Sequence, residues 1–256
     1  MELTREQRSQ IMKGEIPCPL CNGLGRTVAY PPADDPDYSM YGQYAPLVSY
    51  TCICSLWQDY YRHVMKLPEK FRHVGLADLQ PSPASFMPIE VQAALYDELR
   101  AAPLKGYAFF SPAGWSKTTV CTALYKAALW ERCVVHPNND PLLWRAGIGI
   151  WRISAPLLIA QHQNYYDTHK MPDVTAQTIT RLNERHVRPR LFLEEIDKFK
   201  LTEFAQNQIF NIVNTLYEAN GQLVLNANVT FPQFEELFGP PVARRVSEMC
   251  VVKNYF

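Results

Sequence analysis

The chain has 256 residues, 47% of them hydrophobic and 20% charged, enough for one substantial globular core and a small accessory unit. Its 25 Lys and Arg balance 25 Asp and Glu, so no global basic field draws it to nucleic acid, and any such contact must come from a local patch. No apolar run approaches the roughly 18–20 residues of a membrane span. MELTREQRSQ at the start has no signal-peptide core, so with the cysteine pattern below the expectation is a cytoplasmic chain with no membrane partner.

Residues 1–16 read as a short polar helix or arm. Cys18 and Cys21 follow in a C-x2-C pair, and Cys52 and Cys54 form a C-x-C pair after a stretch rich in Tyr, Pro and Asp. Two close pairs of thiols suit a tetrahedral four-cysteine site, and Gly23 and Gly25 let backbone N–H groups approach sulfur. The stretch between the pairs has little to build a core with, so a structural Zn2+ staple is expected over residues 1–66. The alternatives are free cysteines in a small core or a redox pair. His63 and His73 are candidate substitute ligands that read as surface histidines, and Cys121, Cys133 and Cys250 read as small apolar residues.

Residues 55–75 read as a helix broken before Pro68, and Leu76 to Pro88, with three prolines, as a linker. A helix over 89–101 carries Val91, Leu95 and Leu99 on one face. Together 67–101 form a lead-in to a core over 102–256. Tyr107 to Phe110 has the length of a buried strand. It turns through Ser111-Pro112-Ala113-Gly114-Trp115-Ser116 into Lys117-Thr118-Thr119, and Val120, Ala123, Leu124 and Ala127 continue at helical spacing. Strand, tight loop, Lys-Thr and helix is the layout of a phosphate-binding loop, in which N–H groups at a helix N-terminus face phosphate and the first hydroxyl ligates Mg2+. The pattern asks for glycine where Ser111 and Ser116 stand. The alternative is an ordinary strand-to-helix turn.

His136 to Gly147 reads as a loop-like insertion, Gly147 to Ser154 as a second buried strand, Ala155 to Tyr166 as a helix and Thr175 to His186 as another. Arg181, Arg185, Arg188 and Arg190 make the most basic group in the chain, either a solvated helix face or a DNA contact. Leu191-Phe192-Leu193 then runs into Glu194, Glu195 and Asp197. An apolar strand ending in carboxylates is what an ATPase places opposite its phosphate loop: Glu194 would hold the Mg2+ shell and Glu195 polarise the attacking water, with Asp197 as the substitute for Glu194. Further along are an amphipathic helix over Thr202 to Tyr217 stopped by Gly221, a strand at Leu223 to Leu225 that closes on Asn226-Ala227-Asn228, a short helix from Pro232 to Phe238, and an edge strand at Cys250 to Lys253. Alternating strands and helices after residue 105 predict an α/β fold with a largely parallel sheet.

From about Leu67 to about Val252 this order of features resembles the AAA+ ATPases of the DnaC/DnaI helicase-loader type and their relatives, the IstB transposition helpers. LPEKFR resembles the segment before their core, SPAGWSKTT sits at Walker A and LFLEEID at Walker B. LTEFAQNQIFNIVNTLYEANGQLVLNANVT is similar to their helix and sensor strand, with Asn228 at the sensor, and GPPVARRVSEM resembles the arginine-finger segment, with Arg245 as the finger. The resemblance implies a parallel-sheet P-loop core behind a small zinc-knuckle domain. It implies ATP and Mg2+ bound by Ser111, Gly114, Trp115, Ser116, Lys117, Thr118, Thr119 and Glu194, with catalysis by Glu195, Asn228 and Arg245. Its further implications are a ring or spiral of identical subunits and work on single-stranded DNA with a replicative helicase or a transposase. The replaced loop glycines imply weak turnover, or none if the fold serves as a non-hydrolysing scaffold.

Overall fold

The computed structural model describes residues 3–29, 48–135, 149–168 and 189–256. It divides into two compact units. The described residues up to Arg72, with 129–135, make the first; His73 to Ala128, with the described residues from Gly149 to Phe256, make the second.

In the first unit, α1 (Arg5–Lys13) starts from a reciprocal cap in which the Thr4 hydroxyl accepts from the Gln7 N–H and the Gln7 carboxamide accepts from the Thr4 N–H. Gly14, at φ 76°, ends it. Strands β1 (Arg26–Ala29) and β2 (Val48–Thr51) pair antiparallel, Arg26 opposite Thr51. The second cysteine pair opens α2 (Ile53–Met65), which stops two residues short of Leu67-Pro68. A one-turn helix, α3 (Glu69–Arg72), follows. The core here is small: Ile11, Trp57 and the four cysteines, all buried.

The second unit is built on a five-stranded sheet. After α4 (Ile89–Ala101) come β3 (Gly106–Phe110), α5 (Lys117–Trp130), β4 (Ile150–Ser154), α6 (Ala155–Thr168), β5 (Arg190–Glu194), α7 (Glu203–Glu218), β6 (Gln222–Ala227), α8 (Phe231–Phe238), α9 (Pro240–Met249) and β7 (Cys250–Asn254). The strand order is β4-β5-β6-β3-β7, and every adjacent pair is parallel. Parallel neighbours need a crossover between them, which explains the helix after nearly every strand. All five residues of β3 are buried. Gly106 opens that strand because a Cβ there would lie 2.2 Å from the Met249 carbonyl oxygen and 3.0 Å from that of Leu223. From α7, Ile209, Ile212, Val213 and Leu216 bury their stripe in the same core as Leu191, Leu193, Leu223 and Leu225, each fully buried aliphatic side chain contributing about 1.5–3 kcal/mol.

One local detail differs from the sequence expectation. The left-handed residue after α7 is Asn220, at φ 49°; Gly221 is needed because a Cβ there would meet Leu216 Cδ1 at 2.4 Å. The segment with Arg244 and Arg245 is a full helix, α9, whose two prolines occupy its first turn where no N–H is required. The insertion at His136 to Gly147, the helix at Thr175 to His186, and Arg181, Arg185 and Arg188 lie outside the described residues. Among those described, no helix is long and apolar enough to cross a membrane.

Candidate nucleotide site and cysteine cluster

The loop between β3 and α5 is a turn of two left-handed residues, Gly114 at φ 83° and Ser116 at φ 59°. Ser116 thus adopts the conformation for which the phosphate-loop pattern uses glycine, at a steric penalty of about 1–2 kcal/mol. Ser111, the other replacement, is fully buried. Lys117 Nζ folds back over the loop and donates to the Ser111 carbonyl at 2.5 Å, the Pro112 carbonyl at 2.7 Å and Ser111 Oγ at 3.0 Å. Burial pushes its pKa down to about 8; the charge of Asp197 opposes the shift and that of Lys198 adds to it. Thr118 is exposed and Thr119 half-buried in the first turn of α5.

Aromatic rings flank this loop. A Cβ on Gly114 would sit 2.4 Å from Phe86 Cδ2, and the Phe86 N–H donates to the Gly114 carbonyl. Trp115 stacks on Tyr255 at 5.6 Å between centroids, while the Tyr255 N–H donates to the Phe110 carbonyl.

Three carboxylates lie at the end of β5 and just beyond it, and their surroundings separate them. Glu194 is clamped by Arg152 of β4, which donates Nε and Nη2 to Oε1 at 3.1 and 3.0 Å and Nη2 to Oε2 at 2.9 Å. Burial raises the Glu194 pKa, Arg152 opposes the rise and Glu195 adds to it. Glu195 is exposed and sits at φ 57°. Its N–H donates to Asn226 Oδ1 at 2.9 Å. Asp197 accepts from the Asn228 N–H at 3.0 Å and from Asn228 Nδ2 at 3.2 Å. Asp197 and Asn228 are therefore held together, with the charge of Asp197 acting on Lys117 and Glu195 two residues from Asp197, whereas Glu194 is engaged by Arg152.

Arg245 is half-buried on α9. Nη1 donates to the Pro241 carbonyl at 3.1 Å, and the guanidinium lies over the rings of Phe210 and Tyr217 at 5.1 and 5.8 Å. Its neighbour Arg244 is exposed and makes a loose pair with Glu248 at 3.7 Å.

Arg152 was not singled out in the sequence, and Asn226 only as part of a polar strand tip, though each carried a signal. A charged or amide side chain inside an apolar strand, as in IWRIS and LVLNA, must find a partner when buried.

In the first unit, the Sγ atoms of Cys18, Cys21, Cys52 and Cys54 all lie within 4.8 Å of one another. Cys18 and Cys52 are 3.8 Å apart, and Cys21 and Cys54 3.5 Å. A tetrahedral zinc with bonds of about 2.3 Å has sulfur–sulfur edges of about 3.8 Å, so the donor set fits that ion. The Gly25 N–H donates to Cys21 Sγ at 3.2 Å, the kind of outer contact that orients a ligand. Burial raises the Cys52 thiol to about 11 and raises Cys54 as well; a bound dication would reverse both shifts.

No protein-family model matches the chain, and no curated protein does. Solved structures do resemble it. The crystal structure of the DnaC helicase loader superposes with a TM-score of 0.53 at 18% identity, over 72% of this chain and 98% of that one. That likeness is one of fold. Domain III of the Thermotoga maritima replication initiation protein DnaA gives a TM-score of 0.50 at 11% identity, over 74% of this chain and 68% of that one. The parallel sheet puts the ends of β3, β5 and β6, and with them Lys117 and the carboxylates, at one edge of the core.

Proposed function

We propose that this chain is an ATP-binding replication accessory protein of the helicase-loader kind, with Zn2+ held by Cys18, Cys21, Cys52 and Cys54. The observation that carries the reading is a strand–loop–helix with Lys117 folded over the loop, felt by the charge of Asp197, which Asn228 holds at the neighbouring strand ends.

The loop N–H groups from Gly114 to Thr119 and the start of α5 receive the phosphates. Lys117 exchanges its bonds to the Ser111 and Pro112 carbonyls for phosphate oxygens, and Phe86 and Trp115 border the loop. Thr118 and Asp197 would hold Mg2+, which supplies charge neutralisation of the phosphates. Asp197 takes this role in place of Glu194 because Arg152 occupies the Glu194 carboxylate. Glu195 accepts a proton from the attacking water, and Asn228 keeps Asp197 oriented. Arg245 serves a neighbouring subunit's nucleotide after leaving its place over Phe210 and Tyr217. The work is done on single-stranded DNA with a replicative helicase, by an oligomer of this chain.

A second reading, a nucleotide-binding scaffold without turnover, is favoured by Ser116 in the left-handed region and by the clamped Glu194. A transposition helper of the IstB kind shares the same chemistry and differs in its partner. ATP binding and hydrolysis with and without single-stranded DNA, in the wild type, Lys117→Ala and Glu195→Gln, tests the proposal. DNA-stimulated turnover lost in both variants supports it. Binding without turnover selects the scaffold, and no binding refutes both.

A further inference from the structure

Glu195 is a glutamate held at φ 57°. A non-glycine residue stays in that region only where its surroundings over-determine it, and such residues gather at functional sites. The regular β5–β6 ladder ends at Leu193 opposite Leu225. Beyond that point the side chain of Asn226 replaces the ladder. It is only 4% exposed, and its side-chain amide and its carbonyl all have partners. Oδ1 accepts the Glu195 N–H at 2.9 Å, and the Asn226 carbonyl accepts the Ile196 N–H at 3.2 Å. Nδ2 donates to Cys121 Sγ at 3.4 Å, a buried contact. Cys121 lies four residues after Lys117 in α5, one turn along the same face. A single buried amide thus ties the helix that starts at the phosphate loop to the backbone of Glu195, while Asn228, two residues on, grips Asp197.

We infer that Asn226 is the positioning residue that sets the Glu195 carboxylate, by holding its backbone in the left-handed conformation and referring it to the phosphate-loop helix. This rests on the proposed role of Glu195 in turnover. Asn226 acts through Glu195. Without its Oδ1, the turn relaxes to an ordinary negative φ and the carboxylate swings away from the loop.

The test uses the full chain. Hydrogen–deuterium exchange is followed in peptides spanning 190–198, alongside ATP turnover and binding of a fluorescent ATP analogue, in the wild type, Asn226→Ala, Asn226→Asp and Glu195→Gln. In Asn226→Ala the Glu195 amide is expected to exchange at least tenfold faster. Turnover should fall at least tenfold, with analogue affinity within threefold of the wild type. Asn226→Asp keeps an acceptor for the Glu195 N–H, so it should keep the protection and recover part of the turnover. If the alanine variant does not fold, Asn226→Ser, whose hydroxyl falls short of the Glu195 N–H, is read in its place. Unchanged exchange in the variant lacking the acceptor overturns the inference, as does turnover lost equally in Asn226→Asp with protection retained. Unaltered turnover in Glu195→Gln instead overturns the role of Glu195, a failure distinct from the other two.

Discussion

Replacing Arg152 by methionine removes one half of a clamped pair and leaves the other behind. Glu194 would keep its place in a site where the two side chains are 16% and 13% exposed, and would lose three hydrogen bonds from the guanidinium. Stranding a fully buried charge costs about 3–5 kcal/mol; with this residual exposure, about 3 kcal/mol is expected. For a unit of this size that corresponds to a fall in Tm of about 6–12 °C. The double variant Arg152→Met/Glu194→Leu replaces both charges by apolar groups and should lie within about 1 kcal/mol of the wild type. The pH dependence follows from the Glu194 shift. Its folded pKa is already raised, and Arg152 is the group that opposes the rise, so the single variant raises it further. A raised carboxyl contributes stability below its unfolded pKa and loses it as pH rises through the folded value. The Tm deficit of Arg152→Met should therefore be smaller at pH 5 than at pH 8. Calorimetry of the full chain, reading the second unit's transition, measures both. A deficit below 2 °C, or a double variant no better than the single, refutes the account of the clamp.

Three further outcomes are expected. Lys117 has a pKa near 8 in the nucleotide-free protein, so only about a tenth of it stays charged at pH 9; ATP affinity should fall by up to about tenfold between pH 7 and pH 9, and titration calorimetry at both values checks it. Ser116→Gly removes the Cβ from a left-handed position. Because glycine's greater freedom in the unfolded chain offsets much of the relief, stability should change by less than about 1 kcal/mol while ATP binds more tightly, read from thermal melts and a binding isotherm. Metal analysis should find one zinc per chain, and Cys52→Ser should lose it and melt the first unit, whose core is mostly those cysteines; the ATP affinity of the second unit should not change.

The sequence by itself determined the elements and their chemistry. The 89–101 helix, the buried strand before the loop, the amphipathic stripe of α7 and the edge strand at Cys250 are all encoded locally, because apolar period and capping residues act over a few positions. The pairing of C-x2-C with C-x-C was equally legible, since two close thiols leave few other partners. What only the tertiary structure decided is how differently Glu194, Glu195 and Asp197 are surrounded. Adjacent residues at a strand end point different ways, and which carboxylate is free depends on strands far away in sequence. Arg152 reaches Glu194 across the β4–β5 pair, and Asn226 and Asn228 take the turn beyond it from β6. The place of Arg245, stacked over two rings of α7 rather than extended, likewise depends on helix packing that no local pattern encodes. Electrostatic roles are set by three-dimensional neighbours; the propensities that build helices and strands are not.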